Sequence, residues 1–144
     1  MNLQMLRVSH YVLKCFDEVY REFGLRATQM PVLHHLARTA GAASVRDIAT
    51  ALESERSVMF RKLRVLCDNG WIDECRPDDR RERCYTLTAE GHALLERIEP
   101  AREAVQARLL GRLSDDEQHL LLTLCARLRE EAAPFNDDTG EQRR

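Results

Sequence analysis

The side chains with the greatest chemical reach in this chain are arginines, and they gather at two places. Arg56, Arg61, Lys62 and Arg64 fall within a dozen residues that hold no acid. Asp79-Arg80-Arg81-Glu82-Arg83 forms a charged turn between two short, largely apolar stretches, 71–76 and 83–87. Such a turn adds nothing to a core, but it can reach into a negatively charged groove. A guanidinium is the better bidentate partner for phosphate and guanine, although a biased codon supply explains an arginine excess equally well. Other chemistry finds little support. No Gly-rich phosphate loop, nucleophile elbow or metal triad occurs, so an enzyme is not expected. The five histidines and five cysteines do not pair at zinc-ligand spacing, and there is no CxxC. His34 and His35 are neighbours, but adjacent helical residues point about 100° apart and do not easily share one ion. No metal and no cofactor is expected.

The basic segments need elements to hold them. Apolar positions Leu6, Leu13, Phe16, Val19, Tyr20 and Phe23 recur at helical spacing and predict a long first helix over 3–23, ended by Gly24. A second helix follows, with Thr28 as its expected cap, Pro31 in its first turn, and Val32, Leu33, Leu36 and Ala37 facing inward. Ser44 is the expected cap of a short third helix. The fourth runs from about 55 to 69, with Met59, Leu63 and Leu66 as its inward stripe. That stripe turns Arg56, Ser57, Phe60, Arg61 and Arg64 outward. Two strands, 71–76 and 83–87, flank the turn at 77–82. Thr88 caps a fifth helix that Pro100 is expected to kink and Gly111 to close, and Ser114 to Glu117 is a capping box for a sixth.

Two helices followed by a basic hairpin is the layout of a winged helix-turn-helix. The expected fold is therefore mainly α with a small β-hairpin: a winged helix-turn-helix flanked by dimerisation helices from both chain ends. Residues 1–38 are the N-terminal helices for dimerisation and support, 39–88 the DNA-binding region, 89–133 the C-terminal dimerisation helices, and 134–144 a polar tail, all in one compact domain. The first, fifth and sixth helices carry more apolar surface than such a small core covers, and a symmetric dimer is the simple way to cover it. The net charge of −2 argues mildly against a general nucleic-acid coat but not against local binding. No apolar run is long enough to span a bilayer and no signal-like segment opens the chain, so the expected location is cytoplasmic, without a membrane partner.

The element order, together with Gly70-Trp71-Ile72, Asp79-x-Arg81 and Leu87-Thr88-x-x-Gly91, resembles the MarR family of transcriptional regulators over about residues 5–130. The resemblance implies a homodimer, in all expectation a repressor, that binds a pseudo-palindrome in double-stranded DNA. Its two recognition helices would lie in major grooves about 34 Å apart, and its wing tips in the flanking minor grooves. By the same resemblance Arg61 matches the basic position of the recognition helix and Arg81 the wing arginine. Asp79 matches the wing aspartate that holds an arginine in position. Arg80 and Arg83 would meet phosphates, and Ser57 sits where it could do so too. Phe60 departs from the family, which has Ser or Thr there. It either packs on thymine methyls or folds back onto the core.

The resemblance further implies a cavity for a small phenolic or aromatic acid that loosens DNA binding, with His10, Lys14, Phe16, His34 and Arg38 as candidate lining. A thiol-based redox sensor of the same fold is the alternative. Cys15 and Cys67 lie near, but not at, the positions used by cysteine-sensing relatives. If Ile72 pairs with Leu87, Cys75 falls opposite Cys84, near enough for a disulfide where the pair is not hydrogen-bonded. The bland alternative is two small apolar residues filling strand positions. A regulator acting by protein contact alone, without sequence-specific DNA binding, is the remaining reading.

Overall fold

The structure is a computed structural model that describes residues 2–76 and 82–137. The chain forms two compact units, Met1–Val105 and Gln106–Arg144.

In the first unit, helix α1 (Asn2–Tyr20) runs into a single 3₁₀ turn, Arg21–Phe23. Gly24 ends it in the left-handed conformation with φ 73°, which a side chain would strain. The chain then passes to α2 (Met30–Arg38). Thr28 is not its cap; Gln29 holds that position, and its Oε1 accepts the Arg26 N–H at 2.9 Å. Val32, Leu33 and Leu36 are buried as their spacing requires, whereas Ala37 is exposed.

A two-residue strand, β1 (Ala43–Ser44), precedes α3 (Val45–Ala51). It was not expected, being too short to show alternation. Ser44 also caps α3: its Oγ accepts the Asp47 N–H at 3.1 Å while the Asp47 carboxylate reaches back, a reciprocal capping box. Helix α4 (Arg56–Asp68) follows after a short turn, and its stripe of Met59, Leu63 and Leu66 is wholly buried. Strands β2 (Ile72–Cys75) and β3 (Cys84–Leu87) complete an antiparallel sheet of order β1-β3-β2. Ile72 pairs with Leu87 and Cys75 with Cys84, the register expected.

The base of this hairpin is fastened to α5 (Ala89–Leu110) by a compact set of bonds. The Thr88 hydroxyl donates to the Gly70 carbonyl at 2.7 Å and accepts the Gly91 N–H at 3.0 Å; the Thr88 N–H donates to the Trp71 carbonyl at 3.1 Å. A Cβ at Gly91 would run into the Trp71 carbonyl oxygen and lie 2.7 Å from Leu87 Cδ1. The spacing Leu-Thr-x-x-Gly thus records a close approach of helix to strand that only glycine permits. Leu94 and Ile98 carry α5 into the same core as Tyr20, Leu33, Met59 and Ile72.

The boundary between the units falls within α5, which runs through Pro100. The second unit holds the end of α5 and helix α6 (Asp115–Asp137). Ser114 and Glu117 form the expected capping box, and the helix continues past Pro134, where a tail was expected to begin. Among the described residues no helix is long and apolar enough to cross a membrane.

Candidate nucleic-acid interface

Burying Met59, Leu63 and Leu66 leaves the opposite face of α4 to solvent, and that face carries Arg56, Ser57, Phe60, Arg61 and Arg64, all exposed. Among the described residues Arg61 and Arg64 have no ion-pair partner. Arg56 is different: its Nη2 lies 3.6 Å from Glu82 Oε1. Arg83, at the foot of β3, is held twice. Its Nε is 3.5 Å from Glu74 Oε1, and its guanidinium lies over the Phe60 ring, 5.4 Å from the centroid. Phe60 is 39% exposed and stands outside the core, its ring flanked by Arg83. The sheet therefore brings Arg83 against the exposed face of α4. Asp79, Arg80 and Arg81 lie outside the described residues.

A second feature lies between α1, α2 and α5. A pocket of about 310 Å³ is walled by apolar groups, among them Leu13, Phe16 and Met30, and carries three polar ones: Tyr20, His34 and Arg102. Arg102 is bonded to Glu99 through both guanidinium nitrogens that face it, Nε donating to Glu99 Oε2 at 2.9 Å. Burial first, and the Arg102 guanidinium second, push His34 below its ordinary value, so the imidazole is held neutral. Burial likewise raises the Tyr20 phenol, which keeps its proton.

The sequence model described as MarR family matches residues 23–82. The transcriptional regulator HosA of Escherichia coli O111:H- is 31% identical over 105 residues, covering 72% of this chain and 77% of HosA. The chain belongs to the MarR family. It is a DNA-binding transcriptional regulator of that family, whose members are regulators rather than enzymes. Two solved MarR-like folds superpose closely. A Staphylococcus aureus MepR–DNA complex has a TM-score of 0.83 at 21% identity, covering 91% of this chain and 97% of MepR. Bordetella bronchiseptica BpsR, described with the regulation of its DNA binding by 6-hydroxynicotinic acid, has a TM-score of 0.80 at 23% identity, covering 89% of this chain and 93% of BpsR.

Within this MarR-family fold, the expected ligand residues separate. Phe16 and His34 line the pocket, whereas His10, Lys14 and Arg38 are exposed and lie outside its walls. Tyr20 and Arg102 were missed, because they come from helices more than eighty residues apart in the chain and neither stands in a motif. The signal available was the Glu99–Arg102 spacing, which suits an ion pair on one helix face.

The wing cysteines are opposed as expected, but not in the geometry a disulfide favours. The Thr88 N–H bond to the Trp71 carbonyl makes that pair a hydrogen-bonded one. Counting along the ladder by alternation places Cys75 and Cys84 at another hydrogen-bonded pair. In such pairs opposed Cβ atoms are generally the wider of the two kinds, within about 4.5–5.5 Å, whereas a disulfide favours roughly 3.5–4.5 Å. Both are free thiols; Cys84 is fully buried, with its sulfur 3.8 Å from the Glu82 carbonyl. Burial, followed by the neighbouring Cys84, pushes the Cys75 thiol up and away from the reactive thiolate.

Proposed function

We propose that this MarR-family protein is a cytoplasmic homodimeric repressor that binds a pseudo-palindromic operator and is released by a small aromatic or phenolic acid. The observation that carries the DNA-binding part is the exposed α4 face, which carries Arg61 and Arg64 without an ion-pair partner among the described residues and has Arg83 over its Phe60 ring. In this reading residues 39–88 are the reading head. Arg61 enters the major groove, Arg81 the minor groove with Asp79 steadying it, and Arg56, Ser57, Arg64, Arg80 and Arg83 meet the backbone. The MepR–DNA complex supports the mode of engagement through its shared fold. Residues 1–38 and 89–133 supply the dimer contacts.

The pocket at Tyr20, His34 and Arg102 supports the ligand part. Its size and apolar walls suit one aromatic ring, and Arg102 offers a cation to a carboxylate that would share it with Glu99. A neutral His34 can accept from a phenol. BpsR, regulated by 6-hydroxynicotinic acid, is a precedent on the same fold. Any ligand that binds best to the form with wrongly spaced heads weakens DNA affinity by the same coupling factor. This reading is preferred to the thiol one, since the Cys75–Cys84 geometry and the raised Cys75 thiol both oppose ready oxidation.

The deciding experiment is a fluorescence-anisotropy titration on the DNA upstream of the protein's own gene, at several salt concentrations. Tight saturable binding that exceeds random DNA and falls steeply with salt is expected. Arg61→Ala should reduce the slope of log K against log salt by about 1 per head, about 2 for the dimer, if that side chain neutralises a phosphate. Arg81→Ala should weaken binding to many sequences alike. Binding indifferent to salt and to both substitutions would leave the protein-contact reading standing instead.

A further inference from the structure

Arg56 and Arg83 are exposed like Arg61, but each has a carboxylate beside it. Together with Val45, Ser57, Phe60 and Glu82 they line a pocket of about 410 Å³ where the start of α4 meets the foot of β3. Two guanidiniums and a hydroxyl around one hollow make a seat for an anionic oxygen group, and the group facing Arg56 in it is the Glu82 carboxylate. The Glu82 side chain is half exposed, and among the described residues Arg56 is its one ion-pair partner.

We propose that Glu82 is an internal competitor of DNA phosphate for Arg56, so that docking exchanges a carboxylate for a phosphodiester at that guanidinium. The inference rests on the reading of the α4 face as the DNA-binding surface. Both anions carry a single charge and accept from the guanidinium fork, so the exchange is nearly balanced, and the displaced Glu82 stays beside the incoming phosphate as a like charge. An exposed pair at 3.6 Å is weak. Glu82 therefore tunes affinity rather than locking the head. It acts at the backbone, so it lowers affinity for every DNA sequence alike.

The test is an anisotropy titration of two fluorescein-labelled duplexes, one carrying the DNA upstream of the protein's own gene and one of scrambled sequence. Wild type, Glu82→Gln, Arg56→Gln and the double variant are compared, with thermal unfolding of each as a control on these exposed positions. Glu82→Gln should tighten both duplexes by a similar factor, roughly 1.4- to 5-fold per reading head from the usual strength of an exposed pair. In the Arg56→Gln background the gain should shrink, the difference being the coupling between the two side chains. An equal gain in both backgrounds overturns the proposal, because Glu82 then acts only as a nearby charge; so does the absence of a gain. Salt-independent binding by all four proteins instead overturns the DNA-binding reading, and the competitor role with it.

Discussion

At the scale of single residues, Phe60 and His34 are the side chains whose surroundings say most. Phe60 keeps over a third of its surface in water on a helix whose other face is sealed, beneath an arginine that can move aside. An apolar ring in a major groove discriminates through thymine methyls rather than through charge. Phe60→Ala should therefore change which base pairs are preferred while leaving the melting temperature nearly unmoved; a selection from randomised duplexes beside a thermal melt distinguishes this from a packing role. His34 makes a prediction in pH. Burial and Arg102 hold it below its ordinary value, so the unfolded chain takes up that proton at higher pH than the folded protein does. Stability should then be greatest above the ordinary histidine value near pH 6.5 and be lost as pH falls from there towards the folded value. Thermal melts across that window should show a shallower slope for His34→Gln. The outward turn of Phe60 was legible in the spacing of Met59, Leu63 and Leu66, and His34 was a candidate for the pocket wall; the arginine near each was not, because Arg83 and Arg102 come from distant segments of the chain.

At the scale of elements, local chemistry was largely legible, and the reasons are visible. Ser44 with Asp47 and Ser114 with Glu117 announce helix starts because the capping bonds span only three residues. The hairpin itself was legible from its turn signal, whereas its register could be posed only conditionally and is supplied by the pairing of Ile72 with Leu87. The missed features depend on tertiary partners: β1 exists because β3 offers it an edge, and Gln29 displaces Thr28 because its amide reaches back to Arg26. Gly91 tests the junction directly. Gly91→Ala must push α5 off the Trp71 carbonyl, and overpacking of that kind typically costs about 1–3 kcal/mol. Chemical denaturation should register that loss, whereas the same change at exposed Gly41, where a Cβ meets nothing but φ is 96°, reports backbone strain alone.

At the scale of the whole molecule, the unspent resource is apolar surface. In the first unit α1 exposes Leu3, Leu6, Val8 and Tyr11; in the second, α6 exposes Leu120, Leu121, Leu122, Leu124 and Leu128. Stripes of this kind on both chain ends were foreseeable from helical spacing alone, and a second copy of the chain is the economical cover. Leu121→Glu together with Leu124→Glu should shift sedimentation from dimer to monomer and remove operator affinity, since a single head surrenders half the contacts. An unchanged sedimentation coefficient at the dimer value would place the contact elsewhere, and a monomer value for the unsubstituted protein would overturn the proposed dimer.

The fastening of the hairpin to α5 has a mechanical consequence. Gly91 and Arg102 lie on one helix about 16 Å apart at 1.5 Å per residue, the first clamped to the wing and the second at the wall of the aromatic pocket. Between them Pro100 lacks the N–H that would have bonded to the preceding turn, which leaves the rod a compliant joint just short of its far end. Any displacement of Arg102 would reach the root of the wing only through that joint and past the core at Leu94 and Ile98.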